Sequence, residues 1–224
     1  MPSFNIVKTN NPKETFRVSK IEADFDIKPE QSSEHFEGSI EFPNDWHIGV
    51  IVGGSGTGKT TIAKELFGEE IIDSFEYTHE SVVDDMPNVP METIQRMFYS
   101  VGFGSVPSWL KPYSVLSNGE KMRVDLARAL LERDFVVFDE FTSVVDRQVA
   151  QTACIAISKA LNGTHKKFIA ISCHYDILEW LKPDWVFDTN GMQSFFGTSP
   201  DHRSGLKSNG ADMRNGASLS VITI

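Results

Sequence analysis

The chain has 224 residues, of which 40% are apolar and 23% charged, and it carries a net charge of −10. That composition fits one sizeable globular domain and excludes a disordered or fibrous chain. It also disfavours a protein that grips nucleic acid through a broad basic surface. The apolar runs, such as Phe135-Val136-Val137-Phe138, are far too short to span a bilayer. No basic segment followed by an apolar stretch opens the sequence, so secretion is not expected. Cys154 and Cys173 lack CxxC spacing and metal-site neighbours, and they read as reduced thiols of a cytoplasmic protein.

Residues 1–45 alternate loosely between polar and apolar, with strand-like pieces at 15–18, 21–27 and 36–42, so a small antiparallel layer is expected here. Phe16 or Phe25 could stack on a base, or both could be core residues of that layer. The apolar run Ile48, Val50, Ile51, Val52 then enters Gly53-Gly54-Ser55-Gly56-Thr57-Gly58-Lys59-Thr60, and the helix-favouring run Thr61 to Phe67 leaves it. This is the strand–loop–helix context that GxxxxGK[ST] requires. The glycines let consecutive N–H groups of Gly53, Gly54, Ser55, Gly56, Thr57, Gly58, Lys59, Thr60 and Thr61 turn towards phosphate oxygens, with the helix N-terminus adding to the field. Lys59 can reach the outer phosphates and the Thr60 hydroxyl can ligate Mg²⁺. A Gly-rich turn before a lysine is the bland alternative, and the flanking elements argue against it.

Val82-Val83 before Asp84-Asp85 reads as a second strand ending in carboxylates. From Pro87 the composition shifts: Pro87, Pro90, Pro107 and Pro112 bracket a helical segment at 91–101, a candidate small helical lobe at about 86–130. Leu116-Ser117-Asn118-Gly119-Glu120 leads into an amphipathic helix at 121–133, and by itself the Ser–Gly pair need be no more than an N-terminal cap. Phe135 to Phe138 is a strand of the doubly buried kind. It ends in Asp139-Glu140, where α/β sheets bind ligands, so Asp139 can hold the metal with Thr60 and Glu140 can act on the attacking water. A loop, Thr142-Ser143-Val144-Val145-Asp146, precedes helical periodicity at 147–161. A strand at 167–172 ends at Cys173-His174, where a histidine can be structural or catalytic. Strands at 185–187 and 192–196 follow, joined by an Asn190-Gly191 turn. Residues 198–224 lose all periodicity and read as a disordered tail to a domain of 1–197.

These motifs, in this order, resemble the ATP-binding-cassette (ABC) ATPases: phosphate loop, the LSGGQ-like Leu116-Ser117-Asn118-Gly119-Glu120, Asp139-Glu140, the SALD-like Ser143-Val144-Val145-Asp146, and His174. The resemblance covers residues 46–67 and 113–192. It implies an α/β P-loop cassette with a mainly parallel central sheet, an N-terminal antiparallel layer and a reduced helical lobe. It also implies ATP and Mg²⁺ as ligands, and two copies stacked head to tail on ATP. Ser117 and Gly119 of one copy would then close on the γ-phosphate held by Lys59 of the other, with Glu140 polarising water, His174 touching the γ-phosphate and Asp146 coupling the two sites.

The pattern has departures. Asn118 replaces a glycine and Glu120 a glutamine, which looks more like the chromosome-maintenance and recombination-repair branch. No glutamine stands at the expected strand end, where Asp84 or Asp85 falls instead. Lys59 and Ser117 are only 58 positions apart, a short interval for a cassette that docks a membrane partner. The expectation is therefore a stand-alone soluble cassette acting on a macromolecular partner, nucleic acid among the options, with a membrane partner disfavoured and a transporter subunit as the alternative.

Overall fold

A computed structural model describes residues 2–10, 13–26, 32–72 and 74–197. The expected tail at 198–224 lies outside them. In chain order, β1 (Ser3–Asn10), α1 (Phe16–Phe25) and β2 (Ser32–Ser39) form an N-terminal arm. β3 (Ile48–Val52), α2 (Lys59–Phe67) and β4 (Ile71–Ile72) begin the core, and α3 (Met91–Ser100) and α4 (Val106–Trp109) make the short lobe. The rest is α5 (Asn118–Glu132), β5 (Phe135–Phe138), α6 (Arg147–Leu161), β6 (Lys167–Ser172), α7 (Ile177–Leu181), β7 (Trp185–Asp188) and β8 (Gln193–Phe196).

Among the described residues, six strands form one sheet in the order β4-β5-β6-β3-β7-β8. All neighbours are parallel except β7 with β8. The central strand β3 is buried at every position, as a strand covered on both faces must be. Its side chains alternate between two cores. Val50 and Val52 meet Val136, Phe168 and Ala170 beneath α5, α6 and α7, while Ile51 meets Val137, Ile169 and Ile171 beneath α2. Gly49 is required by packing: a Cβ there would lie 2.1 Å from Cζ2 of Trp185 on the neighbouring strand.

β1 and β2 pair antiparallel, forming the expected N-terminal layer, and Phe4, Phe36 and Ile40 join the α2-side core. The arm differs from the expectation in its details. Of the segments read as strands at 15–18 and 21–27, residues 16–18 and 21–25 belong instead to α1, and residue 27 lies outside the described residues. Thr15 caps that helix by accepting from the Val18 amide at 3.3 Å, and Asp26 ends it with φ 50°. The apolar residues Val18, Ile21 and Phe25 recur at helical spacing, which loose alternation had mimicked. No residue of α1 is buried, and Phe16 and Phe25 are 84% and 68% exposed, so neither is a core residue of the layer.

The reading of Val82-Val83 as a strand is also corrected. The strand after α2 is Ile71–Ile72, and residues 82–86 form turns. The amides of Val82 and Val83 donate to the carbonyls of Lys111 and Trp109, so the segment is satisfied by the lobe and has no sheet partner. The lobe shares the core on the α5 side of the sheet through Ile94, Phe98, Val101, Phe103 and Trp109. Trp109 packs its ring against Phe98 at a tilt of 54° and donates its indole N–H to the Phe103 carbonyl at 2.8 Å. Gln95 lies within α3, as its sequence neighbours implied.

Candidate functional site

The loop between β3 and α2 begins where the central strand ends. Gly56 and Gly58 have φ of 81° and 84°, conformations that a side chain disfavours. Gly58 also packs against the Phe36 ring, whose Cε1 would lie 2.7 Å from an added Cβ. Gly53 leaves no room either, since a Cβ would meet the Thr189 hydroxyl at 2.1 Å. The loop is thus held by side chains from the arm and from the end of β7. The Thr57 hydroxyl donates to the Gly54 carbonyl at 2.9 Å and stands 2.6 Å from the Thr189 hydroxyl.

Lys59 is the first residue of α2, and its side chain folds back under the loop. Its ammonium donates to the carbonyls of Gly53 at 3.0 Å and Gly54 at 2.6 Å, and the residue is only 8% exposed. A buried cation at the floor of a ring of amides makes an anion site. Thr60 beside it points across to the sheet, where its hydroxyl donates to Oδ1 of Asp139 at 3.3 Å. The same oxygen accepts from the Glu140 amide at 2.8 Å.

Glu140 follows β5 in the left-handed region, with φ 51°, and its carboxylate accepts from the Ser143 hydroxyl at 2.5 Å. The strained backbone turns the carboxylate out of the strand line and towards the loop. A cleft of about 250 Å³ opens between these parts, lined by Ser55, Gly56, Gly58, Lys59, Thr60, Thr61 and Glu140 on one side and by Lys8, Glu34 and Phe36 on the other. Phe16 and Phe25 do not line it; Phe36, which sequence reasoning passed over, does.

The remaining predicted residues stand elsewhere. Ser117, Gly119, Asp146 and His174 do not line this cleft. Ser117 caps α5 in a reciprocal box: its hydroxyl accepts from the Glu120 amide at 3.3 Å, and the Glu120 carboxylate accepts from the Ser117 amide at 2.9 Å. Glu120 also accepts from Ser108 at 2.7 Å. The hydrogen bond from Ser108, followed by that from the Ser117 amide, holds its carboxyl below the usual range. The Glu120 carboxylate is therefore turned back into its own chain. Gly119 packs where a Cβ would lie 2.9 Å from Val149. Asp146 caps α6, accepting from the amides of Gln148 and Val149 at 2.9 Å each. The His174 amide donates to the Ser172 hydroxyl at 3.1 Å, while its buried Nδ1 meets no partner among the described residues.

The fit to a divalent cation can be judged from the donors. A magnesium ion takes hard oxygens, usually one or two from the protein with the rest from phosphate and water. The Thr60 hydroxyl beside the Asp139 carboxylate meets that need. Among the described residues no group of three or more His, Cys, Asp or Glu side chains could form an all-protein cage.

Comparison with known proteins places this geometry. No family model matches the chain. The energy-coupling factor transporter ATP-binding protein EcfA1 of Staphylococcus aureus (strain bovine RF122 / ET3-1) is 28% identical over 206 residues, 73% of this chain and 76% of that protein. A dimeric bacterial ABC transporter cassette superposes with a TM-score of 0.58 at 12% identity, over 83% of this chain and 92% of that one. A dimeric cassette in a post-hydrolysis state, bound to ADP and Pi, gives 0.56 at 13% identity, over 82% and 94%. An Atm1-family ABC exporter with ATP bound gives 0.55 at 19% identity over 75% of this chain, which spans only 36% of that longer one. Fold, motif order and these similarities agree: the chain has the fold of the ATP-binding cassettes and is similar in sequence to a transporter ATP-binding protein.

Proposed function

We propose that this chain binds Mg-ATP in the cleft above Lys59, pairs head to tail with a second cassette, and uses the cycle of closure and hydrolysis to drive a membrane transport partner. The observation that carries the composite site is the separation of the predicted residues. The cleft has Lys59, Thr60 and Glu140 on its walls, yet Ser117 and Gly119 line no part of it in the same chain. A phosphate held there is closed on one side only. The N-terminus of α5 is a second anion-binding surface that a partner copy would supply.

Each residue has a role in this reading. Lys59 and the amides of residues 53–61 neutralise the β- and γ-phosphates. Thr60 and Asp139 would hold the magnesium ion, which when bound neutralises charge on the transferring phosphoryl group. Glu140 lies at the open end of the cleft, where it orients a water for in-line attack. His174 contacts the γ-phosphate, and Asp146 joins the two sites across the interface. ATP contacts both copies and ADP only one, so the ligand biases closure through its differential contacts.

The transport partner is favoured over a stand-alone role in DNA-linked biology. The short lobe was the argument against a membrane partner, but the relatives with printed names are transporter cassettes, and nothing among them points to nucleic acid. No helix among the described residues is long and apolar enough to cross a membrane.

The decisive experiment measures mass by light scattering on Glu140→Gln with and without Mg-ATP. A dimer that forms only with ATP, and that Ser117→Arg abolishes without unfolding the monomer, is the expected result. A monomer at every ATP concentration would overturn the composite site. Co-expression with a polytopic membrane protein encoded beside the chain, followed by ATP-dependent co-purification, tests the partner; membranes that never retain the chain would return the stand-alone reading to first place.

A further inference from the structure

The residue after His174 is turned away from the cleft and into a fully paired polar relay. The Tyr175 hydroxyl stands 3.0 Å from both carboxylate oxygens of Asp188, to which it donates. It accepts from the Asn190 side-chain amide at 2.7 Å. Asn190 in turn presents its carbonyl oxygen to the phosphate loop, accepting from the Gly54 amide at 3.2 Å. The order of donors and acceptors is self-consistent: the tyrosine can give its one proton only to the carboxylate, so its oxygen is left for the amide N–H, and the amide oxygen is left for Gly54. Asp188 is 6% exposed and also accepts from the Asn190 backbone N–H at 2.9 Å, which fixes the turn. Burial, and then the charge of Asp188, push the Tyr175 hydroxyl well above its ordinary value, so it stays protonated as the relay needs.

The relay joins three segments that the sheet brings side by side. β3 lies between β6 and β7, so the loop after β3, the segment after β6 and the turn after β7 emerge at one edge. Tyr175 spans from the second to the third, and Asn190 from the third to the first. Next along the chain, Asp176 takes a forked contact from Arg147, whose Nε donates to Oδ2 at 2.9 Å and whose Nη2 pairs with Oδ1. Arg147 follows Asp146 directly, so His174 sits just before two anchors, one on the phosphate loop and one at the start of α6.

We propose that Tyr175, anchored on Asp188 and acting through Asn190, is a positioning residue that holds the entry limb of the phosphate loop in register with His174. A strand-end turn needs no such side chains for its own stability, since Asn190-Gly191 would turn the chain alone. Their chemistry is spent on the Gly54 amide. The consequence for nucleotide affinity rests on the ATP reading given above, whereas the hold on the loop does not.

The test uses the full chain with Tyr175→Phe, which keeps the ring and removes the hydroxyl, Asn190→Ala, and the double variant. Amide hydrogen exchange of the segment 53–58 without nucleotide should quicken by about fivefold in each, the factor expected for one neutral hydrogen bond. The double variant should be no faster than the worse single, because the two residues act in series. In steady-state assays KM for ATP should rise by about the same factor while kcat changes less, and the melting temperature should not order the variants as KM does. Unchanged exchange in Tyr175→Phe, or additive effects in the double variant, would overturn the proposal whatever the nucleotide affinity. A wild-type chain that binds no ATP while loop exchange still responds would overturn the ATP reading and leave the relay standing.

Discussion

The Thr60 hydroxyl donates to Asp139 across 79 positions of sequence, at 3.3 Å. One residue lies in the first turn of α2 and the other follows the last residue of β5, so the pair measures how the helix and the strand end are set against each other. Asp139→Asn keeps the size and an acceptor oxygen but removes the charge. Affinity for ATP without divalent cation should be little altered, while the tightening produced by Mg²⁺ should be lost and turnover should fall by about 100-fold. Titrating nucleotide with and without Mg²⁺ separates the two, and a full magnesium response in the variant would refute the assignment.

Lys59 is buried at the loop floor with its ammonium on two loop carbonyls. Lys59→Ala should lower turnover by about 100-fold or more, because it removes the charge aimed at the outer phosphates. Circular dichroism should show the fold retained. Equal turnover in variant and wild type would remove the loop from the mechanism.

The capping box of α5 makes a pH prediction with a definite sign. The Glu120 carboxyl is held below its usual range in the folded chain. A depressed carboxylate contributes stability that is present above its unfolded value and is lost as pH falls through its folded value. Thermal unfolding from pH 7 to about pH 3 should therefore show a smaller acid loss in Glu120→Gln than in wild type, because the variant cannot lose what it lacks. Parallel curves for the two proteins would refute the link between this carboxylate and the cap.

Gly49 is the second residue of β3 and lies against the Trp185 indole, where a Cβ would stand 2.1 Å from Cζ2. Trp185 is fully buried among Phe42, Trp46 and the sheet, so it has nowhere to move. Gly49→Ala should cost about 1–3 kcal/mol or more of stability, an overpacking penalty, measured by urea unfolding. Stability within about 0.5 kcal/mol of wild type would mean that the neighbouring strand yields more than close packing allows.

What could be read from the residues alone was whatever local backbone demand or unbroken periodicity encodes. The phosphate loop is legible because only glycine suits the φ of 56 and 58 and only a short apolar strand can feed it. The bounds of β6 and of α6 are legible, since the first is an unbroken short apolar run and the second carries a clean helical period. Where the pattern was weak, the wrong period was read. α1 buries nothing, so its apolar residues had no core to enforce a clear stripe, and β1 went unnoticed because a surface strand in a two-stranded arm needs little apolar alternation.

Tertiary structure decided which of these residues meet. Parallel pairing of β3 with β6 and β7 carries residues 53, 174 and 190 to one edge of the sheet, and no short-range signal marks Tyr175 or Asn190 as neighbours of Gly54. It also decided that Phe36 rather than Phe16 or Phe25 walls the cleft, and that Glu120 faces its own helix cap. Backbone conformation is a property of each residue and its near neighbours, so motifs that work through it are written in the sequence. Contacts between strand ends depend on pairing order and register across long loops, and only the folded sheet supplies those.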